Sequence, residues 1–389
     1  MINREIIQKL QQAAHQFPVV TLMGPRQSGK TTLVRYVFSN RQYLSLEDLE
    51  LRAFAHDDPK GFLQNYNKEV IFDEVQQAPA LLSYIQTIVD ERRYPGQFIL
   101  TGSQNLLLHE KISQSLAGRT ALLNLLPLSL EELKKTSYAL PNCEDFLFKG
   151  FYPRLYDTEI NPADWYSSYI QTYVERDLRQ MKNIANLSTF QRFLKLCAAR
   201  TGQLLNLSSL ANDCGITYNT VSSWLSILEA SYIIFLLKPH YQNFNKRLVK
   251  SPKLYFYDTG LACSLLGIEN SKQLATHYLK GGLFEAFVIA ELIKHRLNHG
   301  LIPNCYFWRD KLGHEIDCII EMADRLIAVE IKSGKTVADD YFKEIKYWQE
   351  LSGSKPEQAW VVYGGEERQK RTYGNVAGWK NIDEILLQQ

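Results

Sequence analysis

The stretch Val19-Val20-Thr21-Leu22-Met23-Gly24-Pro25-Arg26-Gln27-Ser28-Gly29-Lys30-Thr31-Thr32 decides the fold. Val19 to Met23 reads as an apolar strand, Gly24 to Thr31 match G-x-x-x-x-G-K-[ST], and Lys30 to Ser39 reads as a helix. A glycine-rich turn between strand and helix lets successive backbone N–H groups face one point, where the helix N-terminus adds partial positive charge. The anion that suits such a cradle is a polyphosphate. Gly24, Pro25, Arg26, Gln27, Ser28 and Gly29 form the loop, and Lys30 places an ammonium near the β and γ phosphates. Thr31 offers a hydroxyl to Mg²⁺, and Thr32 completes the expected nucleotide contacts. The expected ligands are ATP and Mg²⁺.

Further strands are expected at 42–46, 70–72, 97–100 and 120–125, separated by helical stretches such as 80–92. This βαβ rhythm predicts an α/β domain with a parallel sheet over residues 1–135. Glu69-Val70-Ile71-Phe72-Asp73-Glu74 is a strand ending in two carboxylates. At this distance from the loop, Asp73 is the expected metal-holding acid and Glu74 the base that activates the attacking water. The next strand ends in Thr101-Gly102-Ser103, which resembles the sensor position of AAA-type ATPases. Ser103 is assigned to the γ-phosphate or attacking water, although sequence alone does not separate it from Thr101. Leu116-Ala117-Gly118-Arg119 resembles an arginine-finger position, so Arg119 is a catalytic candidate that a neighbouring copy would supply in a homo-oligomer. A structural arginine is the competing reading. Arg176, in Tyr173-Val174-Glu175-Arg176-Asp177, is a second, lid-type candidate.

The chain has 389 residues, enough for two or three domains, and its 45% hydrophobic and 22% charged content excludes long disorder and a coiled-coil rod. With 44 Lys and Arg against 42 Asp and Glu, the formal charge of +2 announces no nucleic-acid or membrane partner globally, so any such signal is local. No apolar run approaches a membrane span and the start lacks a secretory pattern, so a cytoplasmic protein with no membrane partner is expected. The six cysteines form no C-x-x-C pair and read as buried thiols.

Residues 136–202 read as a helical lid or connector rich in aromatics. Residues 203–260 read as a winged helix-turn-helix: Leu210, Ala211, Ile216, Val221, Trp224 and Leu225 form its core, leaving Thr217, Tyr218, Asn219 and Ser222 exposed. Between Lys238 and Lys253, the residues Lys238, Lys246, Arg247, Lys250 and Lys253 occur without a carboxylate, a basic wing suited to DNA or other nucleic-acid phosphates. Winged helices also serve as protein-interaction modules. Residues 275–389 read as a second α/β domain, with a helix to about 297, strands at 315–320 and 326–332, a helix at 340–352 and a strand at 359–363. There Asp317 and Glu330 are candidate Mg²⁺ ligands, Lys332 the amine that polarises a water, and Glu285 a fourth group from the preceding helix. Glu315 either supports the metal or only hydrogen-bonds. The D-x(12)-E-x-K spacing resembles the PD-(D/E)XK nuclease fold.

The whole chain resembles a prokaryotic family with an AAA-type P-loop ATPase domain and a C-terminal region of unknown function, winged-helix and PD-(D/E)XK-like. The residues that carry this are GPRQSGKT at 24–31, VIFDE, ILTGSQ, SLAGR, SPKLYFYDTGL at 251–261 and GLFEAFVIAEL at 282–292. The resemblance implies ATP binding and Mg²⁺-dependent hydrolysis, coupled to nucleic-acid binding or processing. The alternative is a nucleotide-dependent switch that binds DNA or a protein without cleaving it.

Overall fold

Apolar runs that must be covered on both faces become the inner strands of a parallel sheet. In the computed structural model, which describes residues 2–92, 94–103, 114–177, 186–241 and 249–387, five such strands are β1 (Val19–Met23), β2 (Gln42–Ser45), β3 (Val70–Asp73), β4 (Phe98–Gly102) and β5 (Thr120–Asn124). They align in the order β2-β3-β4-β1-β5 with every neighbouring pair parallel. β1, β3 and β4 are buried at every residue, whereas the edge strands β2 and β5 are partly exposed. Leu10, Leu33 and Val34 of the helices Ile7–Gln16 and Lys30–Val37 pack on Val20, Leu22, Ile71 and Ile99. All five strands end on one edge, where ligands gather in open α/β sheets.

β4 lies between the loop strand β1 and the acidic strand β3, so the hydroxyls at its end fall between Lys30 and Asp73. The strands expected at 42–46, 97–100 and 120–125 differ from those observed by one or two residues at their ends. Among the helices not anticipated are Leu49–Asp57 and Pro59–Asn65, each started by an aspartate, Asp48 or Asp58, whose side chain accepts from backbone N–H groups.

Contacts divide the chain into two compact units. The first takes in Met1–Leu128, Ala230–Tyr232 and Arg296–Leu301. Within it Asn298 donates to Glu5 at 3.2 Å and Tyr232 to Asn124 at 2.7 Å.

The second unit comprises Ser129–Glu229, Ile233–His295 and Ile302–Gln389. It contains a small antiparallel sheet of β6 (Gln203–Leu204), β7 (Ile234–Leu237) and β8 (Lys253–Phe256), in the order β6-β8-β7. The helices Leu187–Ala198, Leu207–Cys214 and Tyr218–Ala230 accompany it. Gly215, at φ +70°, ends the helix Leu207–Cys214 in the left-handed conformation that favours glycine. Leu210, Ala211, Val221, Trp224 and Leu225 are buried and Ile216 is half-buried, while Thr217, Tyr218, Asn219 and Ser222 are exposed.

A six-stranded sheet follows, formed by β9 (Cys305–Arg309), β10 (Glu315–Glu321), β11 (Leu326–Lys332), β12 (Ala359–Tyr363), β13 (Gln369–Arg371) and β14 (Gly374–Gly378), in the order β13-β14-β12-β11-β10-β9. Sequence reading did not anticipate β9, β13 or β14. The segment after β7 runs beside β9, where His240 N–H donates to Phe307 O at 2.7 Å and Phe307 N–H to Lys238 O at 3.1 Å. β8 is thereby held close to β10.

Asp258, 1% exposed, ties this unit together. It accepts from Phe151 N–H at 2.7 Å, from the Tyr166 hydroxyl at 2.6 Å and from Leu261 N–H at 2.9 Å, the last starting the helix Thr259–Leu265. Asp258→Ala strands three buried donors, so it should destabilise the protein by about 3 kcal/mol or more. Denaturant unfolding followed by tryptophan fluorescence checks this, because Trp165 packs against Tyr166.

Candidate functional site

The loop after β1 is shaped by conformations that few residues tolerate. Gly24 has φ +156° and a Cβ there would meet Leu125 O at 2.1 Å; Gly29 lies at φ +92° and Gln27 at φ +67°. Ser28 Oγ donates to Pro25 O at 2.9 Å, closing the turn. Lys30 is 5% exposed and its ammonium donates to Gly24 O at 2.9 Å and Pro25 O at 2.8 Å; burial lowers its pKa from the usual lysine value. A buried ammonium hydrogen-bonded to loop carbonyls, at a helix start whose N-cap is Gly29 and so supplies no side chain to the free N–H groups, fits a polyphosphate. Arg26 lies 3.8 Å from Glu47, and Thr32 is exposed beside the helix start. Arg4, unnoticed in the sequence, is buried and donates to Ser28 O at 2.9 Å and Leu126 O at 2.7 Å, bracing the loop from behind.

Asp73, 4% exposed, gathers three hydroxyls. Thr31 Oγ1 reaches it at 2.9 Å, Tyr43 OH from β2 at 2.7 Å, and Thr101 Oγ1 from β4 also donates to it. The acid, the loop threonine and two flanking strands therefore converge, and a carboxylate with a hydroxyl beside it is the hard-oxygen chemistry that suits Mg²⁺. Glu74 adopts φ +56°, a left-handed conformation costly for a residue with a side chain. Its carboxylate accepts from Ser103 Oγ at 2.8 Å and from the Gln76 amide. The two hydroxyls that the sequence could not separate thus donate to different carboxylates: Thr101 donates to Asp73 while accepting from Glu74 N–H at 3.2 Å, and Ser103 donates to the Glu74 carboxylate.

Arg119 is not brought to this loop in its own chain. It precedes β5, whose first residue pairs with Val19, so it sits about 13 Å along the strands from the loop edge. There it makes a two-point pair with Asp90, Nε at 2.5 Å and Nη2 at 2.8 Å. The Arg176 side chain lies outside the described residues.

In the second unit, Glu285 (helix Lys280–Asn298), Asp317 (β10), Glu330 and Lys332 (β11) come together. Asp317 falls at an irregularity in the β9–β10 pairing, the kind of bulge that re-aims a side chain. Lys332 Nζ donates to Glu330 Oε1 at 2.5 Å and lies 3.8 Å from Asp317, which also accepts from Ile331 N–H at 2.8 Å. Glu315 pairs with Arg309 at 2.8 Å. Burial, then the neighbouring Asp317, pushes the Glu285 carboxyl up to about 7, and the same two causes raise that of Glu330.

The cluster has one member that sequence reading put elsewhere. Lys253, read as part of a basic wing, is 3% exposed, with its ammonium 2.9 Å from Glu285 Oε1, in contact with Glu315 and 4.0 Å from Asp317. Burial alone would lower its pKa, but the carboxylates of Glu285, Asp317 and Glu315 outweigh this and hold it above the usual lysine value. Tyr255, on the same strand face, donates to Glu285 at 2.5 Å. The set as it stands does not fit a divalent ion, because an ammonium already faces the oxygens the ion would need. Among the described residues no three His, Cys, Asp or Glu side chains are arranged to hold a metal. Of the other wing cations, Lys238 and Lys250 are exposed, and Lys246 and Arg247 lie outside the described residues.

Residues 16–134 match the family described as "AAA domain", residues 140–272 "Domain of unknown function (DUF8612)" and residues 280–382 "Domain of unknown function (DUF4143)". An uncharacterized protein of Mycobacterium tuberculosis is 31% identical over 338 residues, covering 86% of this chain and 74% of the relative. The chain belongs to the same family. A more distant uncharacterized relative, from Haemophilus influenzae, is 22% identical over 85% of this chain and 86% of its own length. A Walker-type ATPase of Pyrococcus abyssi is 18% identical over 68% of this chain and 96% of its own, with a TM-score of 0.48. In this family member the AAA domain is the part that holds the loop, Asp73 and Glu74. Among the described residues no helix is long and apolar enough to cross a membrane.

The split between the two hydroxyls is measurable. Thr101→Val, which removes a donor from Asp73, should weaken Mg²⁺-nucleotide binding about tenfold, whereas Ser103→Ala should leave binding within about twofold and change turnover instead. Nucleotide titration by fluorescence, compared with steady-state hydrolysis, separates the two effects.

Proposed function

We propose that the protein hydrolyses ATP with Mg²⁺ and uses the nucleotide state to control binding of nucleic acid by its C-terminal part. The observation that carries the first half is the convergence of Thr31, Tyr43 and Thr101 on Asp73 beside the buried Lys30 ammonium. In this reading Lys30 holds the β and γ phosphates, Thr31 and Asp73 hold Mg²⁺, and Gly24, Pro25, Arg26, Gln27, Ser28, Gly29 and Thr32 complete the cradle. Bound there, Mg²⁺ neutralises charge on the phosphate oxygens. Glu74 orients and deprotonates the attacking water once Ser103 and Gln76 yield its carboxylate, and Ser103 then fixes the position of that water. Arg119 serves only in trans, in a homo-oligomer, after releasing Asp90.

The second half rests on the helix pair Leu207–Cys214 and Tyr218–Ala230, with exposed Thr217, Tyr218, Asn219 and Ser222 at the start of the second helix, and on exposed Lys238 and Lys250 after β7. We read 136–202 as a helical connector, 203–260 as a winged helix, and 275–389 as a PD-(D/E)XK-like domain. The cutting version would use Asp317 and Glu330 as ligands and Lys332 as the polarising amine. Lys253 favours the version that binds without cutting. We read the protein as cytoplasmic.

Lys30→Ala should abolish Mg²⁺-dependent phosphate release. Glu74→Gln should bind ATP normally but turn over at least about a hundredfold more slowly. Retained turnover in Lys30→Ala would count against the whole reading. For Arg119, hydrolysis per chain should rise with protein concentration, and Arg119→Ala should abolish that rise. A flat response in the unaltered protein removes the trans role.

A further inference from the structure

The two sequence stretches at 251–261 and 282–292 meet through one carboxylate. Glu285 of the second accepts from Lys253 and Tyr255 of the first, both through Oε1. Lys253 is set by the β8 backbone, whose pairing with β7 runs from Ile234–Phe256 to Leu237–Lys253 and with β6 from Gln203–Leu254 to Leu204–Lys253. The two ladders fix the strand face from which its side chain enters the cluster, and the carboxylates hold its ammonium there. The ammonium also lies 5.6 Å from the centre of the Phe307 ring, which closes the apolar side of its surroundings.

The cluster holds four carboxylates, Glu285, Glu315, Asp317 and Glu330, and three cations, Lys253, Lys332 and Arg309. Charge is nearly balanced without any ion from solution. Mg²⁺ or Mn²⁺ would need oxygens from these groups at about 2.1 Å. Oε1 of Glu285 and Oε1 of Glu315 already face Lys253, Oε2 of Glu315 faces Arg309, and Oδ2 of Asp317 accepts from a backbone N–H, so a divalent ion would have to share these carboxylates with a buried ammonium. Glu330 Oε2 is buried with no hydrogen-bond partner.

We propose that Lys253 is the resident cation of the C-terminal cluster, occupying the position a divalent metal would take, so that the nuclease-like site is closed to metal and does not cleave phosphodiesters. The cluster is then an ion-pair hub that fastens β8 to the helix Lys280–Asn298 and to β10. This goes beyond ATP hydrolysis and does not depend on it; it selects the non-cleaving version of the nucleic-acid reading.

The test is titration of the nucleotide-free full chain with Mn²⁺ alone, followed by calorimetry. With Lys253 in place, Asp317→Asn should leave Mn²⁺ binding unchanged. Lys253→Met should acquire one additional Mn²⁺ site, at least about tenfold tighter than any the unaltered cluster shows, and Lys253→Met/Asp317→Asn should lose it. Lys253→Arg should behave as the unaltered protein. Should Lys253→Met fail to fold, Lys253→Met/Glu315→Gln removes one charge of each sign. Mn²⁺ should then raise the melting temperature of that variant and leave that of the unaltered chain unchanged. Mn²⁺ binding or Mn²⁺-dependent DNA cleavage by the unaltered protein that Asp317→Asn abolishes would overturn the proposal, as would the absence of any gain in the Lys253→Met variants. Because nucleotide is omitted, an inactive ATP site leaves this readout unaffected.

Discussion

Three hydroxyls on three separate elements converge on one buried carboxylate at the open edge of the parallel sheet, and the geometry of the nucleotide loop follows from that convergence. Asp73 could not be buried as an anion without donors, because an isolated carboxylate in an apolar interior costs several kcal/mol. Thr31, Tyr43 and Thr101 meet that requirement, and in doing so they fix the loop helix, β2 and β4 relative to β3. The polar chemistry is confined to the strand ends, since Val70, Ile71 and Phe72 directly before Asp73 are fully buried apolar residues. Glu74 is different in kind. Its left-handed backbone takes the chain sharply out of the strand, and its side chain is tethered by Ser103 and Gln76.

What the sequence disclosed and what it withheld divide along physical lines. A strand–glycine turn–helix is a local pattern, so the loop, β1 and the helix that follows were readable within a couple of residues. The acid pair ending β3 was readable because apolar runs closed by carboxylates are also local. Tyr43, Gln76 and Arg4 were not, because each acts by reaching a partner across the fold and carries no periodic signature of that partner. Thr101 and Ser103 stand two apart and share a strand end, so only the packing of β4 between β1 and β3 assigns them different carboxylates.

The C-terminal cluster shows the opposite lesson. Glu285, Asp317, Glu330 and Lys332 were legible from their spacing, yet the group that changes their meaning was read as part of a basic surface. Composition counts charges along the chain, whereas burial decides which face solvent. Lys253 lies in an alternating strand, and alternation assigns a side chain to a face without saying whether that face is wet. The strands that bring β8 beside β10 are joined by contacts of the His240–Phe307 kind, between segments far apart in sequence.

The assignment of residues 230–232 and 296–301 to the unit that otherwise ends at Leu128 bears on how the chain is made. A ribosome releases the nucleotide loop, Asp73 and Glu74 long before Tyr232 and Asn298, the residues that hydrogen-bond to Asn124 and Glu5. The parallel sheet is therefore exposed to solvent and chaperones in an incomplete form while more than half of the polypeptide is still being synthesised. Its last native contacts close only after the intervening helices and small sheet have been translated. A fragment ending near residue 135 would carry every residue of the nucleotide site and still lack two of the bonds that finish the domain.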